Sequence, residues 1–398
     1  MRSRAVTWAV ALAVLAGVAI TAATPAEAST PHNGLSDVWC ASPSSCVAVG
    51  VSGPSNDNPV AGHPLAQTWS GKHWTAVAVR LPAGAATGGL NGLSCVRATS
   101  CVAVGYWGSG FTGHELAESW NGRTWTPSEP PAPAGQQTAL QGVSCPSAGN
   151  CFAVGEYEAS AATGLPTAVV ERLTGGKWHE VKLALPGGLA FSMLGAVSCT
   201  SAKQCVAVGT LFTNGTGKVL VESWNGTAWK RVSAPSPAGG AVSVLAGVSC
   251  PSAVSCVAVG ENLSGVNGAT GFAESWNGKA WTMTTVPWPK GTANSVLVRV
   301  SCPRAKSSCV AVGATDVNIN AGADNSGRAA AATWNGSKWA VVPVPAPARG
   351  KSSQFEGVSC PLTASCVAVG KTGPTGSTAG NGLSGLWNGR SWRLVPAI

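Results

Sequence analysis

Hydrophobic and polar residues alternate along this chain in short runs, and the runs recur. The stretch Leu245-Ala246-Gly247-Val248-Ser249-Cys250-Pro251-Ser252-Ala253-Val254-Ser255-Cys256-Val257-Ala258-Val259-Gly260 appears in seven variants. Their first cysteines are Cys40, Cys95, Cys145, Cys199, Cys250, Cys302 and Cys360, so the steps by subtraction are 55, 50, 54, 51, 52 and 58. Within a copy, Val248-Ser249-Cys250 and Cys256-Val257-Ala258-Val259 are β-branched runs separated by a Pro/Ser turn, which predicts an antiparallel hairpin. Alternation places Val248, Cys250, Cys256 and Ala258 on one face and Gly247, Ser249, Val257 and Val259 on the other. Each face pairs a larger residue with a smaller one, which suits sheets packed flat on both sides.

A second signature follows each copy, best seen as Glu274-Ser275-Trp276-Asn277-Gly278-Lys279-Ala280-Trp281. Asn-Gly between strand-like residues signals a hairpin turn whose two positions accept positive φ. Cross-strand pairing leaves both tryptophans on one sheet face. They read either as seven sugar-stacking platforms or as filling between neighbouring sheets, and because they recur wherever the architecture recurs, filling is expected. The third copy has Leu173 in place of its first tryptophan. Glu118, Glu171, Glu222 and Glu274 sit two residues before that position, and Gln67, Ala332 and Gly385 replace them elsewhere. The glutamate is therefore not required for folding and is expected to make a local salt bridge or hydrogen bond.

Each repeat thus supplies four strands, and a period near 50 residues marks a propeller or solenoid. The expected fold is all-β: a seven-bladed β-propeller with four antiparallel strands and one hairpin disulfide per blade. The expected blades are 35–84, 90–135, 140–188, 194–239, 245–291, 297–350 and 355–398. The array starts at an inner strand and ends at an outer one, so blade one should pack on blade seven without exchanging a strand.

Composition agrees with this and adds a compartment. Only 10% of residues are charged and 45% hydrophobic, with 51 Gly and 26 Pro, the profile of short strands and tight turns. Residues 1–28 read as an export signal: Arg2 and Arg4, an apolar run from Ala5 to Ile20, then Ala26-Glu27-Ala28 at a cleavage site. The apolar run is shorter than the roughly 20 residues that span a bilayer. No other apolar segment is long enough to insert. A freely secreted, extracellular chain beginning at Ser29, without membrane insertion and monomeric, is expected. Its formal charge is then 23 − 15 = +8. The cations stand singly, and no run of Lys/Arg resembles a nucleic-acid or membrane patch. No nucleic-acid partner is expected, only mild attraction to acidic polymers at low salt.

The cysteines fall into seven close pairs: Cys40–Cys46, Cys95–Cys101, Cys145–Cys151, Cys199–Cys205, Cys250–Cys256, Cys302–Cys309 and Cys360–Cys366. In an exported chain these read as disulfides. The five histidines follow no repeat, so zinc spacing is absent, as is a two-residue redox spacing.

With Ser-Cys-Pro-Ser…Cys-Val-Ala-Val-Gly followed by Trp-Asn-Gly-x-x-Trp, the chain resembles a family of secreted repeat proteins from actinobacteria. Ser275-Trp276-Asn277-Gly278-Lys279-Ala280-Trp281 also resembles the Asp-box (BNR) hairpin of sialidase-like propellers, with Asn for Asp and a turn one residue shorter. That resemblance implies a propeller fold over residues 35–396. A sialidase site would further require three arginines and a Tyr–Glu pair. Tyr157 between Glu156 and Glu158 is the nearest match, but Arg97, Arg123, Arg172, Arg231 and Arg299 fall in no matching motif. No catalytic residue is assigned.

Two kinds of loop share one end of such a propeller: those between second and third strands and those joining blades. Function sits on variable loops carried by a rigid scaffold. On that end Tyr106 and Trp107 open the second-blade loop, where they either stack on a ligand or pack on their own loop. Glu156, Tyr157 and Glu261 stand at the tops of blades three and five. Asp316, Asn318, Asn320 and Asp324 place oxygens at alternate positions, either as a calcium loop or as an Asn-rich turn. Calcium is the one cofactor this suggests. The expected function is binding or scaffolding through these loops, with extracellular carbohydrate or a cell-surface protein as partner. The alternative is a glycan-processing hydrolase of sialidase-like ancestry, with carboxylates from Glu156, Glu158 and Glu261.

Overall fold

The alternating runs pair in space as seven copies of one four-stranded unit. The computed structural model describes residues 31–54, 62–109, 112–131, 137–158, 165–185, 189–213, 215–264, 268–303, 308–317, 327–346, 348–375 and 380–397. The expected export segment, residues 1–28, lies outside them. In every blade the four strands lie in sequence order and antiparallel; one parallel bridge, Gly217 to Val242, links blades four and five. The first strands run Pro31–Ser42, Thr87–Arg97, Thr138–Ser147, Leu189–Ser201, Val242–Ser252, Ser295–Ser301 and Lys351–Leu362. Each touches the first strand of the next blade, and the seventh touches the first, so these strands ring the axis. The fold is a closed seven-bladed β-propeller.

The repeat residues explain that closure. Cys250 is bonded to Cys256, and all seven expected disulfides are formed, each across its own hairpin. The serine before each first cysteine has a different task. Ser198 Oγ accepts the Cys250 N–H at 3.0 Å, so one blade holds the next. The same bond joins Ser94 to Cys145, Ser144 to Cys199, Ser249 to Cys302, Ser301 to Cys360 and, across the seam, Ser359 to Cys40. Blade one has Trp39 at the serine position. There the bond to blade two is made from a residue two earlier, as Asp37 Oδ2 accepts the Leu93 N–H at 2.9 Å. The seam also carries Asn33 N–H to Gly380 O and Trp74 Nε1–H to Ser384 Oγ. Among the described residues no strand crosses it.

One feature of the inner strands is not visible as alternation. Each carries a β-bulge opposite the glycine of Val-Ala-Val-Gly; in blade five Ala246 is the extra residue between Leu245 and Gly247. A Cβ on Gly260 would collide with the Val244 carbonyl oxygen and Leu245 Cα, and the other six glycines meet the same obstruction. The glycine is repeated because the bulged strand lies against it.

The Cys/Ala/Trp face of each blade packs on the Val/Val face of the one before, as Ala311, Trp334 and Trp339 do on Val257 and Val259. The tryptophan pairs sit at tilted angles, with centroids 5.2 Å apart for Trp120 and Trp125. The first tryptophan of a pair ties the two hairpins together: Trp120 Nε1–H donates to Ala98 O and Trp224 Nε1–H to Ala202 O, both in cysteine loops. In blade three, Phe152 meets Trp224 and Trp229, and Arg172 lies 5.3 Å from both the Phe152 and Trp224 rings. The Asn-Gly turns are four residues long, and only the glycine has positive φ, +89° at Gly278. Asn277 contributes its side chain instead, accepting the N–H groups of Lys279 and Ala280.

Candidate functional site

The bulges bring side chains to the axis that the repeat pattern does not specify. The extra residues are Ser36, Asn91, Gln141, Gly195, Ala246, Val298 and Glu356. Ser36, Asn91, Ala246, Val298 and Glu356 are half-exposed although fully buried residues such as Leu90, Leu245 and Phe355 precede most of them. The next position is Gly or Ala in five blades, because the neighbouring inner strand leaves no space; a Cβ on Gly357 would reach Asp37 Cα at 2.7 Å. The exceptions are Asp37 and Arg299. Charge on these bulges is confined to blades six, seven and one, on either side of the seam.

These charges influence one another. Burial pushes the Asp37 carboxyl above its usual range, and the Arg299 charge and the N–H groups of Leu93 and Val38 oppose that. Burial likewise raises Glu356, opposed by Lys371, by a hydrogen bond from Gln354 and by Arg299. The Arg299 guanidinium donates to Ala246 O at 3.0 Å and Val298 O at 3.2 Å.

One step along the second strand, just after the repeated glycine, stands a second ring: Val51, Tyr106, Glu156, Thr210, Glu261, Ala314 and Lys371. Each pairs with an inner-strand residue at the same level, as Glu156 with Ala139 and Lys371 with Gln354. Three of the residues singled out from sequence, Tyr106, Glu156 and Glu261, are therefore equivalent positions of blades two, three and five. Glu156 leans over the inner strand, accepting from Gln141 Nε2 at 3.0 Å. Tyr106 lies over Gly89, whose Cβ would meet the phenol oxygen at 3.0 Å, and burial lifts its hydroxyl to about 12. Burial also raises Glu261 to about 7, with one carboxyl oxygen unpartnered.

The other expected residues occupy the margin of this ring. Trp107 is half-buried and stacked on His114 with centroids 4.5 Å apart, so one ring face is covered from within its own blade. Tyr157 packs at the edge of the core between blades two and three. Asp316 is exposed, in left-handed backbone at φ 56°, with its N–H bonded to Asn294 O. Asn318, Asn320 and Asp324 lie outside the described residues. Among the described residues no three His, Cys, Asp or Glu side chains are gathered as metal ligands. Asp37, Arg299, Glu356 and Lys371 were missed from sequence. Their signal was present as departures from the repeat at Ala246, Gly247 and the position after Gly260.

The glutamates before the tryptophans behave differently from expectation. Glu118, Glu171 and Glu274 are fully buried between blades, and none of their carboxyl oxygens has a hydrogen-bond partner. Burial raises them to about 8, 9 and 8, so they are held as neutral acids; Glu222, beside Arg231, is raised to about 7. Glu115, equally buried, is raised to about 8 by burial and by the charges of Glu180 and Glu156.

No family model matches the chain, and no curated protein matches it. Solved structures do. A protein of unknown function from Dyadobacter fermentans is 10% identical, with a TM-score of 0.52 over 90% of this chain and 94% of that one. An ulvan lyase of polysaccharide lyase family PL25 is 11% identical, with a TM-score of 0.50 over 77% and 80%. The SapL1 lectin with alpha methyl fucoside is 11% identical, with a TM-score of 0.44 over 92% and 96%. At these identities the likeness is one of fold, and it places the chain among the β-propellers.

Proposed function

We propose that this chain is an exported binding module that takes an extracellular carbohydrate at the axial mouth, with a cell-surface protein as the competing partner. The observation carrying this reading is the ring after the repeated glycine. Seven identical glycines are followed by six residue types in seven blades, four of the seven being Tyr, Glu or Lys. Varied side chains carried on a repeated, rigid scaffold are how such a fold acquires one specific site. Carboxylates, an amide, a phenol and an ammonium group suit the hydroxyls of a sugar. Fourteen cysteines, all paired, fit maturation in an oxidising, extracellular setting, and mature chain starting at Ser29 completes the reading.

The test is binding of the intact chain to a glycan array with calcium and again with chelator. Saturable binding that Glu156→Gln and Tyr106→Phe weaken at least tenfold supports the axial mouth. Loss in chelator extends the site to the Asp316 loop. Binding unchanged in both variants places the ligand elsewhere.

Glu261 favours a second reading. A carboxyl raised to about 7 by burial can donate a proton near neutral pH, as glycan cleavage requires. Release of reducing ends from a bound glycan, abolished in Glu261→Gln with binding intact, would establish an enzyme. No release by the native chain would leave binding alone.

A further inference from the structure

The opposite end of the propeller carries a different surface, independent of the axial mouth. The cysteine loops and the third-to-fourth turns meet there, since Gly122 abuts Thr99 and Gly226 abuts Lys203. Five of the seven turns hold an exposed cation: Lys72, Arg123, Lys279, Lys338 and Arg390. In blades three and four, exposed Lys177 and Lys230 fall at the start of the fourth strand. Exposed Arg97 and Lys203 add to them from the cysteine loops. No Asp or Glu occurs in any of these loops or turns. Of the carboxylates nearest in sequence, Glu118, Glu171, Glu222 and Glu274 are buried, and the one exposed is Glu180, three residues beyond Lys177. The axial end, in contrast, mixes Glu129, Glu158 and Asp316 with Lys182, Lys290 and Lys351. Cations that stand singly in sequence, about one per repeat, become a ring when the blades close.

We infer that this ring is a docking surface for a flexible anionic polysaccharide. Sheets pack about 10 Å apart at mid-blade and their strands are about 4.8 Å apart, so the turns fan out to roughly 14 Å between blades. That exceeds the Debye length of about 8 Å at physiological salt. A small anion would therefore meet one cation at a time, whereas a linear polyanion meets several. The tryptophans of these hairpins are buried or half-buried, so no ring is offered to an unpaired base, as single-stranded nucleic-acid binding requires. A chain that matures in an oxidising compartment meets anionic polysaccharide outside the cell.

The experiment uses the intact chain and immobilised polygalacturonate, with neutral dextran, single-stranded DNA and vesicles containing phosphatidylglycerol in parallel. The expected result is binding to polygalacturonate and not to dextran. With about four ion contacts it should fall roughly fiftyfold between 50 and 200 mM salt. The variant Lys72→Gln/Arg123→Gln/Lys279→Gln/Lys338→Gln should lose it at least tenfold. A control with the same charge change at the axial end, Lys182→Gln/Lys218→Gln/Lys290→Gln/Lys351→Gln, should keep it within twofold. All eight positions are exposed, and circular dichroism confirms that both variants fold. Equal loss in both variants would reduce the effect to net charge and overturn the inference. So would affinity that ignores salt, or tighter binding to DNA or vesicles than to polygalacturonate.

Discussion

Replacing Glu274 by glutamine should leave the propeller unchanged in acid and stabilise it above neutral pH. Glu274 is fully buried between blades with both carboxyl oxygens unpartnered, and burial raises it from 4.5 to about 8. Below pH 4.5 the group is protonated in both folded and unfolded chains and stability is at its full value. As pH rises from 4.5 to about 8, the unfolded chain releases this proton and the folded one keeps it. Stability then falls by about 1.4 kcal/mol per pH unit, approaching ~5 kcal/mol in total as an upper bound. Glutamine has nearly the same shape and does not ionise, so the variant lacks this loss. Denaturant unfolding with the disulfides intact, at pH 4, 6 and 8, measures it as a midpoint difference that opens with pH. A difference constant across pH would refute the reasoning. So would a wild type that gains on the variant as pH rises, because that pattern belongs to an ionised, paired carboxylate. Glu118 and Glu171 follow the same sign, so the native protein as a whole should be most stable near pH 4 to 5.

Other substitutions test the closure. Ser198→Ala removes the acceptor of the Cys250 N–H and should cost about 1–3 kcal/mol in unfolding free energy. Gly260→Ala places a methyl group against the bulged inner strand and should cost more than about 4 kcal/mol or abolish folding. Arg299→Leu leaves Asp37 and Glu356 without their shared cation. Both carboxyls should titrate at higher pH by carboxyl-resolved NMR, and an unchanged titration of either would refute the coupling. Peptide mapping without reductant should recover only disulfides within hairpins, such as Cys250–Cys256 and Cys302–Cys309.

The hairpins were legible because their cause is local: Val257 and Val259 alternate with Ala258, and two cysteines with five or six residues between them can face each other only across a turn. Seven copies then dictated the ring and its closure. The seam contacts and the serine bonds were not legible, since Ser198 and Cys250 are 52 residues apart and meet only when blades stack. The bulge was hidden for a related reason. One extra residue, such as Ala246, shifts register without changing the composition of the run. It also determines which side chains reach the axis, so Arg299 and Asp37 read as loop or strand charges until the inner strands converge. The expected partner of Glu274 was wrong because polarity alone suggested a local bond, while the packed blade surrounds the carboxyl with apolar neighbours. The basic end was invisible as a patch because adjacent cations are separated by a whole repeat.

The most direct measurement is calorimetric titration of the intact chain with its tightest-binding neutral glycan. The proposed axial site is single because its ring is asymmetric, so the stoichiometry should be one ligand per chain, with affinity lost in Glu156→Gln and kept in the Lys72/Arg123/Lys279/Lys338 variant. Several equivalent ligands per chain, or one ligand unaffected by Glu156→Gln, would assign recognition to the repeated blades or to the opposite end and contradict the axial site.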